Sequence, residues 1–323
     1  MANGMSRQLR NKVNAVPEGI EMDIRQVITD KIIAMLEQGG NTASKRWAAA
    51  SKDGFPRNAK TNTSYRGVNV LLLWNEAAER GYASNSWLTY KQAAALGAQV
   101  RKGEKAVMCA YFEMVKRKGD SNESSSTEPG DTPGFFPMCK PFWLFNVAQI
   151  DGLPESLTKT AEPASPFDPI QNAEQLIAST GANICHGHDG AFYMPSLDKI
   201  CLPERERFTS SANYYATALH EVVHWTGHES RLDRKFGKRF GDDAYAFEEL
   251  VAELGAAFVM GHVGLVDATI ENHAAYLESW LKVLKNDKSA IFTASKNASL
   301  AYELIVKNSS AELETEVCAD YIN

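Results

Sequence analysis

The chain has 323 residues, 44 % of them hydrophobic, and a net charge of −6, a profile that fits a globular protein long enough for two domains. The start, MANGMSRQLR, has no apolar run behind it, and apolar stretches such as Val70 to Trp74 fall far short of a bilayer span, so a secretory leader and a membrane helix are not expected. The charge is uneven: residues 1–118 hold 19 Lys and Arg against 10 Asp and Glu, and the remainder holds 15 against 30. A basic front half joined to an acidic back half points the front half at a polyanion such as nucleic acid. Five cysteines, Cys109, Cys139, Cys185, Cys201 and Cys318, are scattered without CxxC pairing. They read as reduced thiols of a cytoplasmic protein, used as small buried hydrophobes rather than as ligands.

In chain order, residues 1–18 are polar and expected to be poorly ordered. Ile24, Val27, Ile28, Ile32, Ile33 and Leu36 recur at helical spacing up to Gly39-Gly40. Residues 41–68 are irregular and interleave cations with aromatics: Lys45, Arg46, Trp47, Arg57, Tyr65 and Arg66, then Asn69. On a loop, that mixture suits single-stranded nucleic acid, with cations following phosphates and rings stacking on bases; Trp47 and Tyr65 serve equally well as core anchors. A helix is predicted over 68–82, closed by Gly81, and a short one from Tyr90 to Leu96. Arg101, Lys102 and Lys105 make a basic turn before a strand at 106–115. The insert 119–133, GDSNESSSTEPGDTP, reads as a disordered loop of a long hairpin whose second strand is Phe142 to Val147. Four prolines between Leu153 and Pro169 mark the domain boundary.

The second half opens with a predicted helix at 170–179 and strand candidates at 183–188, 191–193 and 198–203. The last of these stands just ahead of the chemically richest stretch, where it is placed to bind an extended polypeptide by β-addition. That stretch is His220-Glu221-Val222-Val223-His224. Two histidines four apart on a helix share a face, so both imidazoles can meet one divalent ion, zinc first and manganese second. Glu221 sits on a neighbouring face, where a carboxylate reaches a water on the ion without being a ligand. His228 lies beyond Gly227, which ends the helix, and Ser230 stands where the HExxHxxGxxH pattern needs a third histidine. The next helix, Ala244 to Phe258, is strongly apolar yet carries Glu248, Glu249 and Glu253. Buried carboxylates need a metal or hydrogen bonds, which makes Glu249 the third ligand and Glu253 the residue that fixes an imidazole, with the two roles still interchangeable at this point. The basic, glycine-punctuated segment 229–241 reads as an exposed connection near the mouth of the site. Residues 272–306 read as amphipathic helices.

With these residues in view, the chain resembles the ArdC family of plasmid antirestriction proteins. Asn58 to Asn69 (NAKTNTSYRGVN), Trp87-Leu88-Thr89, Lys91-Gln92-Ala93 and Val100 to Lys105 are similar to that family's single-stranded-DNA-binding domain, which also occurs in plasmid primases of the TraC type. HEVVHWTGHESRL and EELVAELGAAF resemble its zincin-like metallopeptidase domain, and Glu249 to Glu253 fits the Glu-x-x-Ala-acid pattern in which many zincins place their carboxylate ligand. The resemblance implies an α+β protein of two domains. One, over 1–153, is a small mixed α/β domain that binds single-stranded DNA; a linker at 154–169 leads to a mainly helical zincin-like domain with a small β-sheet over 170–323. It further implies protection of conjugating DNA from restriction, with a DNA-bound or restriction-related protein as the expected proteolytic substrate. The competing reading is a single-strand-coating protein whose metal is structural or vestigial.

Overall fold

The computed structural model describes residues 23–39, 54–116, 135–158, 169–237, 243–265 and 273–320. The polar start, the stretch holding Lys45, Arg46 and Trp47, the insert at 119–133 and residues 159–168 of the expected linker lie outside the described residues. The architecture is α+β in two domains.

The first domain runs α1 (Ile24–Gly39), β1 (Arg57–Asn58), α2 (Val68–Arg80), β2 (Ser86–Leu88), α3 (Tyr90–Ala95), β3 (Gln99–Val100), β4 (Val107–Lys116), β5 (Phe135–Asn146), β6 (Ile150–Asp151) and the single turn α4 (Glu155–Thr158). Helix α1 follows its isoleucine spacing: Ile24, Ile28, Ile32 and Leu36 are buried as one stripe. Helix α3 starts where Thr89 and Gln92 satisfy each other's free amides, Gln92 N–H donating to Thr89 Oγ1 at 3.2 Å and Thr89 N–H to Gln92 Oε1 at 2.9 Å. The main sheet has the order β1-β2-β5-β4, and β3 pairs separately with β6. Strands β4 and β5 pair antiparallel from Val107↔Leu144 to Lys116↔Phe135, so the insert joins two strands of one hairpin, as its flanks predict. Strand β5 begins at Phe135 rather than at the predicted Phe142. Pro137 and Pro141 obscured its first half, and both lie where β2 no longer pairs with β5, so a missing N–H leaves no gap on that side.

The second domain runs α5 (Pro169–Ser179), β7 (Asn183–Cys185), β8 (Phe192–Met194), β9 (Lys199–Cys201), α6 (Ser211–Thr226), α7 (Asp243–Val263), α8 (His273–Asn286) and α9 (Ala290–Asp320). Its sheet has the order β7-β9-β8, with β9 parallel to β7 and antiparallel to β8. This corrects the sequence reading of 198–203. That segment supplies the central strand, paired on both sides, and the edge open to an added strand is β8.

Helix α7 organises the packing. It is apolar all round because it is buried all round. Leu250, Leu254 and Phe258 join a core with α1, α2, Trp280 of α8 and Ile291 of α9, while Ala252, Ala256, Val259 and Met260 face a second core with α5 and α6. Phe55 and Trp74 from the first domain sit with ring centroids 5.8 Å from Phe258, and Thr29 Oγ1 donates to Lys288 O at 2.8 Å. The domains therefore share an apolar core rather than hanging from a tether. Among the described residues no helix is long and apolar enough to cross a membrane.

Close approach of α6 and α7 depends on Gly255. A Cβ there would stand 2.7 Å and 3.0 Å from the two methyls of Val223. Gly255→Ala is expected to lower stability by about 1–3 kcal/mol, read as a lower denaturation midpoint. Adding Val223→Ala relieves the clash, so the double variant should lose less than the two single losses combined; strict additivity would mean the helices do not meet here.

Candidate metal centre

Helix α6 starts at Ser210, whose Oγ accepts the Asn213 N–H at 3.1 Å, and stops at Gly227. One helical turn separates His220 from His224, and their Nε2 atoms face each other at 3.2 Å. Across the α6–α7 contact, Glu249 places Oε2 3.4 Å from His220 Nε2 and Oε1 3.6 Å from His224 Nε2. All three side chains are buried.

Those spacings test whether an ion fits. A tetrahedral ion about 2.05 Å from each nitrogen or oxygen holds its donors about 3.3 Å apart. The observed separations of 3.2, 3.4 and 3.6 Å bracket that value. His220, His224 and Glu249 could thus hold a small divalent cation with little rearrangement.

A carboxylate stands behind each imidazole, within hydrogen-bond distance at His224 and farther off at His220. His224 Nδ1 is 3.2 Å from Glu248 Oε1, and His220 Nδ1 is 3.9 Å from Glu253 Oε2. Of the two acids that the sequence left interchangeable, Glu249 stands among the facing nitrogens and Glu253 behind an imidazole. Glu248 carried no role in the sequence reading, because five residues along the helix put it on a different face from Glu253 and only the fold shows that it meets His224. It is held by Arg234, whose Nε and Nη2 donate to Oε2 and Oε1 at 3.0 and 2.8 Å and whose Nη groups also reach Thr226 Oγ1 and Val223 O at 2.8 and 2.7 Å. The segment after α6 is therefore not a plain exposed connection. Arg234 is buried in the centre, and Arg231 lies 3.8 Å over the Trp225 ring. The signal was present as two arginines following a buried helix, but charge alone reads as solvated. His228 turns away and meets Ser230 Oγ at 2.8 Å.

Electrostatics follow from burial and crowding. Burial pulls the His220 imidazole down, but the Glu249 hydrogen bond and the charges of Glu221, Glu249 and Glu253 outweigh it and hold the imidazole up at about 9. Burial raises Glu249, yet the bond to His220 and both imidazole charges bring its carboxyl to about 2. Burial raises the Glu221 carboxyl, opposed by both histidines and by a hydrogen bond from the Tyr193 backbone. That last bond ties Glu221 to the middle of the edge strand β8. The group opens into a cleft of about 380 Å³ lined by Phe192 and Tyr193 of β8, by Glu221, and by Tyr245 and Tyr276. Tyr245 hydrogen-bonds to Glu249.

The comparisons with known proteins fit this arrangement. A model of a zincin-like metallopeptidase matches residues 171–297, and a model of the N-terminal domain of the anti-restriction factor ArdC matches residues 22–145. A solved structure of the antirestriction protein ArdC from plasmid R388, metal-free, superposes with a TM-score of 0.72 at 38 % identity, covering 90 % of this chain and 99 % of that one. The chain belongs to the ArdC antirestriction family. The R388 ArdC has also been solved with Mn(II) bound, and that structure superposes with a TM-score of 0.71 at 39 % identity, over 89 % of this chain and 98 % of that one. Beyond structures, an uncharacterised protein y4eC of Sinorhizobium fredii is 37 % identical over 85 % of this chain and 89 % of its own length. A DNA primase TraC of Escherichia coli is 35 % identical over 92 % of this chain, but the chain spans only 28 % of that primase, and 20 % of a second TraC.

The residues read from sequence as DNA contacts divide. Lys102 and Lys105 are exposed on the turn before β4. Arg66 is exposed and pairs with Glu303 at 3.1 Å. Arg101 is spent locally on Glu104, Asp151 and Ala148 O, at 3.0, 3.3 and 2.6 Å. Arg57 is half-buried beside Ser86 at 3.4 Å. Tyr65 is half-buried, with Asn58 donating to its hydroxyl at 3.3 Å and its ring parallel to Phe142. Asn69 has a structural job, because its amide both donates to Ala110 O at 2.8 Å and accepts from Ala110 N–H at 2.9 Å, bracing α2 against β4. Tyr111 and Trp143, which the sequence reading did not single out, are 45 % and 49 % exposed on the β4–β5 hairpin. Strand periodicity alone could not say which residues of the hairpin face water.

Glu248→Gln, which keeps shape and removes charge, is expected to weaken divalent-ion binding by about 10–100-fold, as loss of an outer partner of a ligating histidine does. Competition against a chelating indicator measures it. An unchanged affinity would mean that Glu248 serves Arg234 alone.

Proposed function

We propose that the protein shields incoming DNA in the cytoplasm by coupling single-strand binding in the first domain to zinc-dependent proteolysis in the second, acting on a protein bound to that DNA. The observation that carries the enzymatic half is the cleft itself. Two imidazoles and a carboxylate converge at its floor, and β8 forms the exposed edge of a sheet along its wall.

His220, His224 and Glu249 hold the ion, with Glu248 and Glu253 orienting the imidazoles. Zinc suits two imidazoles and one carboxylate; manganese, present in the R388 relative, is the other candidate. When bound, the ion supplies Lewis-acid polarisation and lowers the pKa of water at the site toward 7. An extended polypeptide adds to β8 by main-chain hydrogen bonds, which lays one peptide bond across the cleft. Glu221, its carboxyl raised by burial, takes a proton from the attacking water as the water oxygen adds to the peptide carbonyl carbon, and returns that proton to the amine nitrogen as the C–N bond breaks. The Tyr276 phenol stays protonated, held above the usual tyrosine range by burial, and lines the cleft as a donor to a developing oxyanion, while Tyr245 gives its hydroxyl hydrogen to Glu249 and positions that carboxylate.

For the first domain, Lys102, Lys105 and Arg66 supply exposed positive charge, and Tyr111 and Trp143 supply rings able to stack on bases. Lys45, Arg46 and Trp47 are kept in this proposal from sequence alone.

Glu221→Gln should retain its metal and lose at least about 10²-fold in cleavage of a protein held on single-stranded DNA, the usual scale for removing a general base. Undiminished cleavage refutes the assignment. An antirestriction assay on the same variant separates the readings, since full protection without cleavage leaves strand coating as the working function.

Binding of an oligonucleotide should fall steeply with salt. Lys102→Ala with Lys105→Ala should flatten that slope by about 1–2, whereas Trp143→Ala should cost about 1–3 kcal/mol and leave the slope alone. Equal binding of duplex and single strand would count against single-strand recognition by the first domain.

A further inference from the structure

Strand pairing brings together a second set of soft donors. Cys185 and Cys201 are register partners in the parallel pair β7–β9, and their sulfurs lie 3.4 Å apart. His188 returns across them, with Nε2 3.3 Å from the Cys185 sulfur. The return is made by Gly187, at φ +92°, a left-handed conformation that a side chain would strain. Backbone bonds fix the turn, with Leu202 N–H donating to Cys185 O at 2.9 Å and His188 N–H to Leu202 O at 3.2 Å. The neighbouring His186 points elsewhere, to the Tyr214 hydroxyl at 2.9 Å. None of Cys185, His188 and Cys201 lines the cleft of the first centre.

We propose that Cys185, His188 and Cys201 hold a second, structural zinc ion. Two sulfurs and an imidazole are a donor set that zinc takes in closed structural sites. Tetrahedral zinc, with bonds of about 2.3 Å to sulfur and about 2.05 Å to nitrogen, holds sulfurs about 3.8 Å apart and sulfur and nitrogen about 3.5 Å apart. The thiols need only part by a few tenths of an ångström as each gives its proton to solvent. Glu204 is the candidate for the fourth position, with Oε1 packed over Gly187 3.3 Å from where a Cβ would stand; water is the alternative. The ion's role follows from what the turn carries. Residues Asp189 to Phe192 form one wall of the cleft and lead into the edge strand β8. A zinc ion here pins that wall to the central strand β9, a task for which a three-stranded sheet of three-residue strands has few other means. The cysteines read from sequence as inert small hydrophobes thus include one pair that the sheet makes into ligands, which spacing could not reveal because sixteen residues and a hairpin separate them.

The test is metal content of the full chain, with thiols alkylated at lysis in a parallel sample. The unaltered protein should carry two zinc equivalents, the His220→Ala, His224→Ala variant one, and the Cys185→Ser, Cys201→Ser variant should lose the one that the histidine variant keeps. Because the cysteine variant can fail to fold, cobalt is also titrated into the unaltered apoprotein. Thiolate-to-cobalt charge-transfer absorption supports the site, and it should persist in the histidine variant. A histidine variant free of metal, cobalt binding without that absorption, or a Cys185–Cys201 disulfide trapped at lysis would each overturn the proposal.

Discussion

The structure turns on a concentration of buried negative charge. Glu221, Glu248, Glu249 and Glu253 all lie out of water where α6 meets α7, and the permanently charged guanidinium of Arg234 is bonded to Glu248 among them. Buried carboxylates in this number are stable only with compensating cations. The His220 imidazole supplies part of the compensation: its hydrogen bond to Glu249 and the surrounding acids hold it above its usual range, and that bond helps hold the Glu249 carboxyl below its own. A divalent ion among the facing nitrogens would supply the rest.

That demand explains the architecture around it. A helix with three acids cannot be central unless its remaining surface is thoroughly apolar, and α7 meets the condition by filling two cores at once. The first domain therefore packs on the back of the helix whose front lines the cleft. Helix α7 is common to both cores, so the cleft and the sheet of the first domain are built on one framework.

Much of this was legible in residues. Helical spacing gave α1, α2, α6 and α7 to within a few residues, and the spacing of His220 and His224 implied a shared face before any coordinates. The polarity of α7 singled out Glu249 and Glu253, because an acid on an all-apolar helix needs a reason. What sequence could not show were contacts made by folding. Arg234 looked like a solvated charge until it was found against Glu248, the Asn69 amide gave no sign of its bonds to Ala110, and β9 looked like the cleft's edge until β8 was seen to cover it. Each of these depends on which strand or helix lies alongside, and local pattern carries no information about that.

The most direct test is a crystal structure of the full chain grown with zinc, with the ion located by its anomalous signal. The account predicts an ion among His220 Nε2, His224 Nε2 and a Glu249 oxygen, with Glu253 and Glu248 still behind the imidazoles. An ion bound by Glu253 in place of Glu249, or no density among these side chains at saturating zinc, would contradict it.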